Sequence, residues 1–293
     1  MTDQVIFDRG YRTYDGPRLG PAGARRAVFK DGVRRVLGLG RKAREKIFPW
    51  VLIAIAVIAA AVFLGINWAA GNIDEAIQEG APTYGDLFDF YSAISILFIA
   101  FAGPKLLIPD RTKGVLSVYF SRPLTVDGYL TSKVGAFATV VGAIYIVPQL
   151  ILHLGLSLLS DDGFLTYLGD NLDVLWKVPV TTLAFVALHG SLIFILASVI
   201  DRTGIAAAAF LGILVAGDGI AGRVAEATFP GAKFASLVAP GQHPRIIRDY
   251  FFGDTIAYPA EIAGFDVWVS VAVVVGVTVA AVWFIRWRYR KLA

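Results

Sequence analysis

FPWVLIAIAVIAAAVFLGINWAA, residues 48–70, contains no charged side chain. A helix rises about 1.5 Å per residue, so a run of this length crosses a hydrocarbon core about 30 Å thick. Five more apolar stretches of similar length follow, at 87–108, 134–159, 177–200, 203–222 and 266–286. The whole chain agrees with them: 56% of its 293 residues are hydrophobic, 17% are charged, and the mean hydropathy is +0.65. Soluble domains are about 45–50% apolar. The expected fold is therefore an all-α polytopic membrane protein with six transmembrane helices. The fifth stretch is the weakest, rich in Ala and Gly and carrying Asp218.

The charged residues are clustered between these stretches and set the expected orientation. Residues 1–47 hold twelve Lys and Arg side chains. Segment 71–86 holds none, but has Asp74, Glu75, Glu79 and Asp86. Segment 105–133 is basic, 160–173 carries Asp161, Asp162, Asp170 and Asp173, and the chain ends in RWRYRKLA. Lys and Arg are retained on the cytoplasmic side of a membrane. Both termini are accordingly expected in the cytoplasm, with Arg223, Lys233, Arg245 and Arg248 as a mild exception in the long external connection 223–265. The first apolar run follows too long a basic region for a cleaved secretory signal. There is no cysteine, which removes disulfides, thiolate metal sites and cysteine nucleophiles.

Three parts are expected: an irregular cytoplasmic segment 1–22, an amphipathic helix 23–47, and a six-helix transmembrane domain 48–293. In the second part Val28, Phe29, Val33, Val36 and Leu37 recur near helical spacing, with Arg26, Lys30, Arg34 and Arg41 on other faces. That pattern suits a helix lying in the headgroup layer and broken at Gly38 and Gly40. In 223–265, FASLVAP and IIRDYFFGDTIAY are too short to span and read as short external helices entering the outer interface.

Between the second and third spans lies DRTKGVLSVYFSRP, residues 110–123. Pro109 is expected to end the second span, with Asp110 as the N-cap of a short helix. Val115 and Tyr119, and Leu116 and Phe120, then pair at i,i+4, and Ser121, Arg122 and Pro123 stop the helix. Exposed Val115, Leu116, Tyr119 and Phe120 would need a partner or a membrane surface, the latter making the helix a mere anchor for the loop; Arg111, Lys113 and Arg122 could pair with acidic groups on a partner. Exposed ion pairs contribute only about 0–1 kcal/mol, so the apolar contacts should carry the docking.

At these residues the chain resembles the permease subunits of ATP-binding cassette transporters of the ABC-2, exporter-like type. The shared pattern is an acidic residue, three residues, then Gly-x-Leu (Asp110, Gly114, Leu116); next Ser121-Arg122-Pro123; next Tyr-x-x-x-Lys (Tyr129, Lys133). The resemblance extends loosely over the basic helix, the six spans and the external connection. It implies that 110–123 is a coupling helix docking on a separate ATPase subunit, which binds the ATP and Mg. It also implies a second permease copy or a homologous permease as partner, residence in the plasma membrane, and outward transport of a hydrophobic or amphipathic substrate. No nucleic-acid partner and no cofactor bound by this chain are expected.

The catalytic alternatives lack their motifs. No G-x-x-x-x-G-K-[ST] loop, no His-Glu-x-x-His and no G-x-S-x-G occurs. The three histidines, His153, His189 and His243, lie on different elements, and no metal site is expected. A non-transporting scaffold or regulatory subunit of the same topology stays open, and a membrane enzyme is a remoter reading. Ionisable groups within spans are functional candidates by default. His189, near the middle of the fourth span, and Asp218, in Gly217-Asp218-Gly219, are the candidate pathway residues. The bland readings are a histidine bonded to a neighbouring carbonyl or hydroxyl, and an aspartate half-solvated where its helix unwinds. His153 and Asn67 are expected to be wet at outer ends. Pro148 and Pro179 are expected to kink their helices.

Overall fold

A computed structural model describes residue 16 and residues 19–73, 81–121, 124–227, 231–253 and 264–292. Among the described residues the regular structure is helical. Six helices are long and apolar enough to cross a membrane: α2 (Ala43–Ile73), α3 (Tyr84–Thr112), α5 (Val126–Leu159), α7 (Val174–Val199), α8 (Thr203–Ala225) and α10 (Val267–Arg290). Shorter elements are α1 (Gly20–Val36), α4 (Val115–Phe120), α6 (Phe164–Asp170), a 3-10 helix (Ala232–Val238) and α9 (Gln242–Phe252). Successive long helices alternate in direction. One end of the bundle carries α1, α4 and most of the basic residues; the other carries α6, α9 and the 3-10 helix, with Lys233, Arg245 and Arg248.

Helices α3 and α7 are central, with 72% and 67% of their apolar windows buried, against 28%, 22% and 22% for α2, α8 and α10. The outer helices leave Ile58, Val62, Val215, Ile220, Val275 and Val279 exposed, an apolar surface that suits lipid chains. Inside, Phe88, Tyr145 and Phe185 stack between α3, α5 and α7, with centroids 5.6 and 6.2 Å from Phe88. Close helix contact rests on small residues. A Cβ on Gly103 would lie 2.6 Å from Ile193 of α7.

Polar caps fix where the spans begin. Thr83 and Asp86 form a reciprocal capping box at the start of α3. Thr125 accepts from the Gly128 amide at 3.1 Å to start α5, and Asp266 accepts from the Trp268 amide at 3.0 Å to start α10.

Several expectations need correction. The basic helix ends at Val36 rather than 47: positive-φ Gly38 and Gly40 break it, as expected, and Ala43 already starts α2. Helix α1 begins at Gly20; residues 1–15, 17 and 18 of the expected irregular segment lie outside the described residues. The buried stripe of α1, Val28, Gly32 and Val36, faces the bundle. A Cβ on Gly32 would lie 2.7 Å from that of Ala136 on α5. Pro109 does not end the second span, because α3 runs on to Thr112. The break comes at Gly114, whose φ of 67° is the left-handed conformation that glycine adopts without a Cβ penalty. Pro148 and Pro179 lie inside α5 and α7, as expected, and neither helix ends at its proline. Of the expected terminator, Arg122 and Pro123 lie outside the described residues, as do Asp74, Glu75 and Glu79.

Candidate functional site: a charge knot behind a short helix

Asp110 is buried and does not cap a helix. Its carboxylate takes the Arg35 guanidinium at 2.6 Å, the Lys133 ammonium at 2.8 Å and the Tyr129 hydroxyl at 3.0 Å. Asp31 adds a bond from Arg35 at 2.8 Å and a looser approach to Lys133 at 3.6 Å. The group thus joins α1, α3 and α5 at the basic end. Two cations meet two carboxylates, so the knot is neutral. Lys133 is 0% exposed and Asp110 2%. An unbalanced charge at that depth would cost several kcal/mol, which the geometry offsets only while every member is present.

The electrostatics follow from this geometry. Burial by itself would lower the pKa of Arg35, but the Asp110 and Asp31 carboxylates outweigh it and hold the guanidinium above its ordinary value. The Tyr119 phenol is pushed above its usual range by burial, then by the same two carboxylates.

Tyr129 connects the knot to α4. Its ring lies 5.8 Å from Tyr119, 6.0 Å from Phe120 and 6.0 Å from Tyr289 of α10. Leu116 is buried, and Tyr119 and Phe120 are half-buried on the core. The expected exposed face of the short helix is therefore wrong: Leu116, Tyr119 and Phe120 face their own bundle, and Val115 is also half-buried. What α4 presents to solvent is Val118, 52% exposed, with Ser117 and Ser121 and the preceding Lys113. The helical spacing was right and the direction reversed, because Tyr129 supplies an aromatic surface within the chain.

Two further pins hold this end. Arg111 donates to Asp201 at 2.7 Å and to the Ala197 and Ile200 carbonyls, closing the C-terminus of α7 against the end of α3. Asp127 accepts from Arg286 at 2.8 Å, tying the start of α5 to the end of α10. Nothing in the sequence placed Arg35, Asp31, Tyr289 or the Asp127–Arg286 pair at one site. The only sequence signal was Asp31, an acidic residue four positions before Arg35 in an otherwise basic helix.

The remaining candidates lie apart from the knot. His189 is fully buried between Phe185 and Phe210, with centroids 5.8 and 6.2 Å away, and neither ring nitrogen has a hydrogen-bond partner among the described residues. The expected bond to a carbonyl or hydroxyl is absent because aromatic rings form its walls. Asp218 does not mark an unwound segment, since α8 is continuous there. Its carboxylate accepts from the Gly241 amide at 2.9 Å and tethers the segment leading into α9. His153 is buried rather than wet, its Nδ1 2.9 Å from the Tyr84 hydroxyl and its ring beside Tyr167 of α6. Asn67, half-buried, donates to the Phe63 and Pro82 carbonyls.

Helix α9 is wedged into the bundle. Ile246 and Ile247 pack with Ala184, Leu188, Val267 and Val274 of α7 and α10. Arg248, 4% exposed, pairs with Asp89 of α3 and with Asp249. Among the described residues, no group of three or more His, Asp or Glu side chains is placed to hold a metal ion. The knot ties α1, α3 and α5 together through charged and hydroxyl groups. The chain matches no protein-family model and no curated protein.

Proposed function

We propose that this chain is the permease subunit of an ABC-2-type transporter and that a separate ATPase drives it through α4. The observation carrying this reading is the convergence of Asp110, Tyr129 and Lys133 in one buried knot directly behind that helix. Those residues form the motif on which the family resemblance rests. Their burial gives the motif a mechanical reason: a push on α4 passes through Tyr119, Phe120 and Tyr129 to Asp110, and so to α1, α3 and α5 together.

In this reading the basic end is cytoplasmic and the protein resides in the plasma membrane. The partner ATPase binds ATP and Mg and meets Ser117, Val118 and Ser121. ATP-driven closure of the ATPase displaces α4, and the helices tied to the knot tilt as a unit. A second copy or a homologous permease completes the path. A hydrophobic or amphipathic substrate is supported by a lateral groove of about 540 Å³ lined by Leu107, Leu130, Val134, Phe194, Val282 and Ile285, with the Asp127–Arg286 pair at one end.

The native chain has no cysteine, so Val118→Cys gives a single reactive thiol. Cross-linking from it in native membranes should capture a polypeptide carrying a phosphate-binding loop, and the yield should change when ATP is added. Capture of lipid alone, or a nucleotide-independent product without such a loop, would favour the scaffold reading.

A further inference from the structure

A cleft of about 700 Å³ opens at the basic end between α2, α3, α4 and the start of α8, with the Arg35–Asp110 pair in its wall. Its lining holds twice as many cations as carboxylates. The carboxylates are occupied: Asp110 within the knot, Asp201 by Arg111 at 2.7 Å, and Glu45 loosely by Arg41 at 3.9 Å. Arg44, Lys113 and Arg202 are exposed and form no ion pair among the described residues. Lys105 lies over the face of Phe101, 3.4 Å from the ring centre, feels the Glu45 carboxylate at longer range, and forms no ion pair among the described residues. Unpaired cations gathered around a cleft form a site for an anion.

We propose that this cleft holds the phosphate headgroup of an anionic phospholipid from the surrounding bilayer. The position favours lipid over a dissolved anion. Immediately along α2 from Arg44 come Phe48, Val51 and Ile55, and Ile205 of α8 lies beyond Arg202; all four are exposed apolar side chains. A headgroup in the cleft would leave its acyl chains on that strip. Basic pockets between membrane helices bind anionic headgroups through this combination, at about 1 kcal/mol for each Lys or Arg near the surface. The site would brace α2 against α4 and α8, which no ion pair among the described residues does. The inference rests on the membrane-spanning fold and not on the permease reading.

The test uses the full chain in mild detergent. Lipid retention is measured by native mass spectrometry after exposure to phosphatidylglycerol or phosphatidylcholine, with inorganic phosphate and glycerol phosphate as soluble arms. The wild type should retain one phosphatidylglycerol in clear preference to phosphatidylcholine. Removing Arg44, Lys113 and Arg202 as glutamines should weaken that binding by about fivefold per cation. The control R25Q/R26Q/K30Q removes the same charge from the exposed side of α1 and should keep the bound lipid. Equal retention of both lipids overturns the proposal, as does equal loss in the control. Occupancy of the cleft by the soluble anions as readily as by phosphatidylglycerol would also overturn it. Unchanged helix content by circular dichroism separates loss of binding from loss of fold.

Discussion

Replacing Asp110 by Asn keeps the shape of the side chain and removes the charge that balances the knot. Arg35 and Lys133 then share only Asp31, which stands 3.6 Å from Lys133 with its side chain 46% exposed. Removing one partner from a buried ion pair costs about 3–5 kcal/mol, because the stranded charge stays out of water. Asp31 offsets part of this, so Asp110→Asn should cost about 3 kcal/mol. Lys133→Met should cost less, since Asp110 keeps Arg35 at 2.6 Å and Tyr129 at 3.0 Å. In the double variant the remaining Arg35–Asp31 pair is neutral again. Its cost should fall below the sum of the single effects by about 2 kcal/mol, within the range for residues of one network. Reversible unfolding in mixed micelles, followed by circular dichroism, measures all three. Additivity within about 0.5 kcal/mol would mean that the charges are independent and solvated, and the knot would not exist as described.

Other expectations concern the opposite end and the core. Asp218→Ala strands the Gly241 amide, and a Cβ on Gly241 would lie 2.1 Å from the Asp218 carboxylate. Asp218→Ala and Gly241→Ala should each speed amide exchange at residues 239–243 about tenfold, a bond to a charged group contributing about 1.5–3 kcal/mol. The double variant should go no further, and additive effects would refute the tether. His243 is held below the ordinary imidazole range by burial, opposed by its bond to the Leu237 carbonyl. Its folded-state pKa is depressed, so the neutral form contributes stability above the unfolded pKa of about 6.5 that is lost as pH falls below it. Protection factors in α9, taken relative to the intrinsic exchange rate at each pH, should therefore fall between pH 7 and pH 5 in the wild type and stay flat in His243→Gln; equal pH dependence in both would refute the assignment. His189→Leu removes two unpartnered buried nitrogens and should raise stability by about 1–3 kcal/mol. Destabilisation would show that the imidazole has a partner. A stabilised variant with impaired transport would give the histidine a place on the pathway.

Hydropathy located the spans because it reports depth in lipid, and it missed helix ends for the same reason. Arg44, Glu45 and Lys46 belong to α2 although they lie beyond the apolar run, since the backbone hydrogen-bond ladder continues where hydrophobicity stops. The end of α3 was misread because Pro109 and Asp110 look like a stop and a cap; a proline removes one donor, and the carboxylate found Arg35 and Lys133 instead. Asp110, Tyr129 and Lys133 were legible as a motif. Their meeting with Arg35, 75 residues from Asp110, was not, since no local periodicity encodes it. The spacing of Leu116 and Phe120 defined a face but not what it faced. His153 looked like a wet residue at a span end because α6, which brings Tyr167 against it, lies in a segment too short and polar to announce itself.

The most direct measurement of the central claim is co-purification of the tagged chain from a host expressing its neighbouring reading frames, with ATP hydrolysis assayed with and without vanadate. Val118→Asp belongs beside the wild type, because an exposed substitution away from the knot leaves the fold within about 0.5 kcal/mol. The account predicts that a phosphate-loop ATPase accompanies the wild type, that vanadate blocks its turnover, and that Val118→Asp loses most of the associated activity while eluting normally. A wild-type chain that purifies alone and inert, or an associated ATPase indifferent to the aspartate, would contradict it.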